Sequence, residues 1–136
     1  MTTGVVKSVE ECLSKLEEQI RRYPFHGDGR VRCVATLQGS GTASDALLVG
    51  TNTLAQRERV PMIIHQSWSQ GEVEKCEAQT GKRPIEHLAD LGLLGPHLTL
   101  VHMIQVNERE IELVRQSGAS IVHCPAAAIR RGMGAI

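Results

Sequence analysis

A chain of 136 residues with 15 lysines and arginines against 15 aspartates and glutamates carries no formal net charge, so it offers no field to hold a phosphate backbone or an anionic lipid surface. Its aromatic residues are Tyr23, Phe25 and Trp68, which leaves no set of stacking platforms for single-stranded nucleic acid and predicts an aliphatic core. Nucleic acid and membrane are therefore excluded as expected partners, and the length suits one core.

Ser8 and Glu11 have capping-box spacing, and Val9, Cys12, Leu13, Leu16 and Ile20 then recur at helical intervals, predicting an amphipathic helix over 9–22. The run Tyr-Pro-Phe-His-Gly-Asp-Gly ends it. Residues 31–37 are short, Val-rich and bounded by glycines, as a buried strand would be, and a second helix starts near Ser44. The run 61–65 is apolar, too short for a helix and closed by His65, so it reads as a strand. Helices follow over 72–80 and 84–91, stopped by Gly81 and Gly92, with Pro84 suited to a first helical position. Residues 98–102 form another short apolar strand, closed by His102. Asn107 with Glu110 opens a further helix that Gly118 closes, and 120–124 is a strand stopped by Pro125. Four strands alternating with helices predict a parallel sheet, in one domain spanning 1–136.

Three of the six histidines, His65, His102 and His123, fall at or near the C-terminal ends of these strands, where α/β enzymes place their chemistry. Neutral imidazole is a common zinc or iron ligand, and ligands from separate strands can converge on one ion. For each alone, a hydrogen-bonded histidine at a buried strand end is the plainer reading, and it is the three together that point to function. His26, His87 and His97 lie in a loop, an exposed helix and a turn, and are given no role. The cysteines Cys12, Cys33, Cys76 and Cys124 form no Cys-x-x-Cys pair, which points to reduced thiols in a cytoplasm. The start MTTGVVKSVEE lacks the features of a signal peptide, consistent with that location.

Met-Ile-Ile-His65, the segment Gly81-Lys-Arg-Pro-Ile-Glu-His-Leu-Ala-Asp-Leu-Gly-Leu-Leu-Gly-Pro96, Leu98-Thr-Leu-Val-His102, Asn107-Glu-Arg-Glu-Ile111 and Gly118-Ala-Ser-Ile-Val-His-Cys-Pro125, followed by Gly132-Met-Gly134, occur in that order. Together they resemble the barrel core of the amidohydrolase superfamily, in the branch of cytosine-deaminase-like and triazine-hydrolase-like enzymes. The resemblance implies an α/β fold, part of a (β/α)8 TIM barrel covering about the fourth to seventh strands. It also implies a divalent metal, zinc or iron, that activates water against a carbon bearing an amino, amide or halide group. His65 and His102 would be metal ligands, and Trp68 and His123 would meet a small-molecule substrate.

Departures from the family pattern are specific. The paired histidines after the first strand and the aspartate after the eighth have no counterpart here, so the site is expected to be partial. Where the family has His-x-x-Glu, with the glutamate shuttling protons, this chain reads His65-Gln66-Ser67-Trp68, and Trp68 cannot transfer a proton. Cys-Pro-x-Ser-Asn becomes Cys124-Pro125-Ala126-Ala127-Ala128. Cys124 reads as a packing residue. The chain is expected to be a fragment of a longer hydrolase acting on C–N or C–halide bonds, inactive by itself. Two alternatives stay open: a non-catalytic half-barrel module for binding or assembly, and a metal-binding protein completed by a second copy. Strands carrying Ile63, Leu100 and Ile121 would leave inward apolar area in water, so a homo-oligomer, or cover from the rest of a longer chain, is expected.

Overall fold

The computed structural model describes residues 7–23 and 27–134; of the residues discussed above, 1–6, Pro24, Phe25 and His26 lie outside them. Helix α1 (Val9–Arg22) opens on a reciprocal cap: the Ser8 hydroxyl accepts from the Glu11 N–H and the Glu11 carboxylate accepts from the Ser8 N–H, both at 3.1 Å. That satisfies two donors the helix would otherwise leave orphaned. Helix α2 (Asp45–Glu58) starts at Ser44, whose hydroxyl accepts from the Leu47 N–H. The two helices meet at Gly50, where a Cβ would come within 2.6 Å of the Leu13 side chain.

Four strands, β1 (Ala35–Leu37), β2 (Met62–Gln66), β3 (Leu98–His102) and β4 (Ser120–Val122), form one sheet in sequential order with every pairing parallel. Helices α3 (Gln70–Thr80) and α4 (Pro84–Asp90) join β2 to β3, and α5 (Glu108–Ser117) joins β3 to β4. The last helix is α6 (Pro125–Arg131). The first strand is shorter than its sequence predicts, because Val31, flanked by Arg30 and Arg32, stays exposed and only Ala35 onward joins β2. The fourth also stops early, at Val122, which leaves His123 beyond the sheet.

Register sorts the strand residues onto two faces. Ala35, Met62 and Leu98 share one row, and Leu37, Ile64, Leu100 and Ile121 share the next row on the same face. Most of this face packs beneath Leu48, Leu54 and Ala55 of α2, Ile85 and Leu88 of α4 and Val114 of α5, making one aliphatic core. Leu100 is thus fully buried on the helix side, while Ile121, at the edge of the same row, is 51% exposed. The opposite face carries Thr36, Ile63, Thr99 and Ser120 in one row and His65 with Val101 and Val122 in the next. It is the more polar and more open face. A small second cluster, Ile104, Ala128 and Met133, seats α6 against the segment after β3.

His87, expected on an exposed helix face, is buried, and its Nε2 lies 2.8 Å from the Asp45 carboxylate. This contact ties α4 to the start of α2. His97 behaves similarly at the opposite end of the sheet, with its Nε2 2.6 Å from the Asn52 side-chain oxygen.

Candidate functional site

His65 lies on the open face near the C-terminal end of β2. His102 is the last residue of β3, in register with Gln66, and strict alternation would send its ring to the side of Leu100, under the helices. Instead its φ is 81°, followed by 54° at Met103. The turn breaks the alternation and brings the His102 ring centroid to 5.3 Å from that of His65, with the planes 40° apart. Left-handed backbone at such residues costs on the order of 1–3 kcal/mol each and clusters at functional sites. Ser67, after β2, is left-handed as well, with φ 53°.

Backbone bonds hold the two turns against each other beyond the sheet. The Gln66 carbonyl accepts from the Met103 N–H at 3.1 Å, and the Ser67 carbonyl accepts from the Ile104 and Gln105 N–H groups at 2.9 and 2.8 Å. The strained geometry at His102 is therefore over-determined by its surroundings.

Nδ1 of His65 and Nδ1 of His102 are both buried without a hydrogen-bond partner among the described residues. A buried polar atom left unmatched costs about 1–3 kcal/mol, and two at one place form a donor pair suited to a soft or borderline divalent ion. Burial, then the neighbouring His65, Arg131 and His123, hold the His102 imidazole below the usual histidine range, which keeps it in the neutral, ligating form. Among the described residues no group of three or more His, Cys, Asp or Glu side chains is placed to hold a metal. The pair thus fits a divalent ion in part, as two ligands where a catalytic zinc takes three from protein.

Buried polar contacts that the sequence does not reveal position the pair. The fully buried Gln66 donates from Nε2 to the Ser40 hydroxyl at 2.6 Å, pinning the loop after β1 across the end of β2. Glu110, also fully buried, accepts from Arg83 Nε at 2.8 Å, the Ile85 N–H at 3.1 Å and the Asn107 N–H at 3.1 Å. Arg83 also donates to the Gln105 carbonyl at 2.8 Å, and the Gln105 amide donates to the Met133 carbonyl at 2.8 Å. The turn that aims His102 is anchored by this network. Capping-box spacing identifies Glu110 in the sequence, but nothing there pairs it with Arg83, 27 positions away.

Trp68 is 39% exposed and lines open clefts on two sides. Its backbone N–H donates to the Glu72 carboxylate at 2.7 Å, and the Ser69 hydroxyl accepts from the Glu72 N–H at 3.2 Å. Burial pushes the Glu72 carboxyl up, against the pull of the Trp68, Ser67 and Ser69 backbone N–H groups. The carboxylate of this turn is engaged in holding the loop. His123 is exposed, one residue past β4, and is not in ring contact with the histidine pair. Cys124 stands half-buried at the start of α6, and the alanines after it belong to that helix, where Ala128 packs against Ile104 and Met133.

The amidohydrolase family model matches residues 1–135. The chain belongs to the amidohydrolase family. It is 36% identical over 126 residues to the 5-methylthioadenosine/S-adenosylhomocysteine deaminase of Syntrophobacter fumaroxidans, covering 93% of this chain and 28% of that protein. The deaminase of the same name from Halobacterium salinarum is 34% identical over 125 residues, with 92% and 28% covered. Among solved structures, an adenosine deaminase from Xanthomonas campestris with bound zinc superposes with a TM-score of 0.88 at 29% identity, over 98% of this chain and 30% of that one. The triazine hydrolase of Arthobacter aurescens superposes with a TM-score of 0.87 at 20% identity, over 93% and 28%, and shows the fold alone. This amidohydrolase chain spans under a third of the length of these relatives. Its sheet is a four-strand arc of the family's (β/α)8 barrel. No helix among the described residues is long and apolar enough to cross a membrane.

Proposed function

We propose that this chain is one partial barrel domain, residues 1–136, of a divalent-metal hydrolase that deaminates a small nitrogen heterocycle. One observation carries the reading: His65 and His102 converge from adjacent parallel strands with both Nδ1 atoms buried and unmatched. In this reading the two imidazoles are metal ligands, zinc being the ion named with the Xanthomonas neighbour. Relatives named as deaminases favour a C–N bond over a C–halide bond as the one hydrolysed. The metal would supply acidified water, with the pKa lowered from 15.7 toward about 7.

The chain's own residues would do the remaining work available to them. His102 stays neutral and fixed in direction, Trp68 presents an apolar wall to the substrate ring, and His123 approaches from the rim of β4. Trp68 cannot carry protons, and Glu72 is engaged with the Trp68 N–H, so a proton carrier has to come from outside these residues, as do the remaining ligands. Those gaps also favour a second reading, a half-barrel module that binds without turnover. The flanking DNA separates the two. In-frame codons for His-x-His upstream and for an aspartate downstream support the hydrolase; stop codons bounding the reading frame on both sides contradict it.

A further inference from the structure

A cleft of about 420 Å³ is lined by Trp68, Gln105, Arg131 and Met133 among others, and its size falls within the range that takes small molecules. Two of its walls start three residues after each histidine: Trp68 after His65, and Gln105 after His102. Gln105 is held through bonds from Arg83 and to Met133, and the backbone at Trp68 is held by its N–H bond to Glu72. Arg131 ends α6, and its side chain makes no hydrogen bond or ion pair among the described residues. No acidic residue lines the cleft with it.

We propose that Trp68 and Arg131 form a subsite for a planar, negatively charged ring, such as an aromatic or heteroaromatic carboxylate. An indole face gives a ring-sized stacking surface, and a guanidinium presents a fork of donors that matches a carboxylate bidentately. The proposal deepens the heterocycle reading by adding an acid group to the ligand, but it does not require the metal. A basic residue in a helix's last turn is also favoured by the helix dipole alone, and the test has to separate the two roles.

Trp68 is the chain's one tryptophan, so its fluorescence reports on the cleft directly. The chain, kept metal-free with a chelator, is titrated with nicotinate, with its neutral isostere nicotinamide and with acetate. Saturable quenching by nicotinate is expected, with nicotinamide and acetate each at least about tenfold weaker, a difference of about 1.4 kcal/mol. Arg131→Gln should abolish the preference for the anion, Arg131→Lys should restore part of it, and Arg130→Gln should leave it intact, all with unchanged thermal unfolding. Equal response to nicotinate and nicotinamide, a preference that survives Arg131→Gln, or no quenching by nicotinate would each overturn the subsite. Because no metal is present, none of those results bears on whether His65 and His102 bind one.

Discussion

Gly39 crosses so close to His65 that a Cβ on the glycine would lie 2.8 Å from the His65 carbonyl oxygen. Real side-chain carbons do not come that close to backbone, so Gly39→Ala must push either the loop after β1 or the end of β2 aside. The substitution should cost about 1–3 kcal/mol of stability, the usual price of overpacking, and should also weaken zinc uptake by shifting His65. Urea unfolding and calorimetry on the same variant check both effects. Stability and uptake both equal to those of the parent chain would show that the loop does not brace the histidine.

Glu110 is fully buried and Arg83 partly so, and removing the carboxylate should strand the backbone donors that it accepts from. Glu110→Ala removes the short ion pair from Arg83, which keeps its bond to the Gln105 carbonyl, and leaves two backbone N–H groups without an acceptor, at about 1–3 kcal/mol for each group left unmatched, read in urea unfolding. Glu110→Gln keeps an acceptor and should cost less. A small loss for Glu110→Ala would mean that the network is not what fixes the turn at His102.

Glu72 gives a prediction in pH. Its folded carboxyl is raised above 4.5 by burial, so between 4.5 and that higher value the native state binds more protons than the unfolded one, and stability falls as pH rises. Glu72→Gln keeps an acceptor for the Trp68 N–H and removes the titration. The stability difference between Glu72→Gln and the parent chain should therefore move in the variant's favour as pH climbs from 4.5 toward 7. A difference that is flat with pH, or that moves the other way, contradicts the raised carboxyl.

The open rim of the sheet predicts self-association. Ile121, Val122 and Ile129 are 51%, 45% and 75% exposed, and β4 offers an unpaired edge of the kind that recruits another strand. Light scattering across a dilution series should show concentration-dependent association, and Val122→Lys should reduce it without lowering the unfolding midpoint. A monodisperse monomer at every concentration would show that the fragment covers its own edge.

Much of this fold is legible in the sequence because β2 and β3 are short apolar runs, each with a histidine at or next to its end, and because Ser8, Ser44 and Asn107 announce their helices with hydrogen-bonding caps. The limits are equally physical. Helix α6 escapes notice because Cys124-Pro125 reads as a strand stop, although proline at a first helical position followed by alanines is also a helix start. His87 looks exposed until α2 brings Asp45 to it from 42 positions away. The convergence of His65 and His102 can be anticipated from strand ends, but the left-handed turn that achieves it cannot, since β-strand periodicity alone sends His102 to the wrong face. Ile121 and Leu100 share a face as register demands, yet only one is buried, because burial at a sheet edge depends on what lies beyond it.

The most direct test of the account is calorimetric titration of the metal-free chain with zinc, alongside His65→Ala and His102→Ala. If the two imidazoles share one ion, the parent chain takes up zinc at a defined stoichiometry, and each single substitution lowers the affinity at least about tenfold, the least that losing even an outer-shell partner of a ligand costs. The double variant should then lose less binding free energy than the two single losses added together. Uptake that is absent from the parent chain, or that persists unchanged in both single variants, would contradict a metal centre built on His65 and His102.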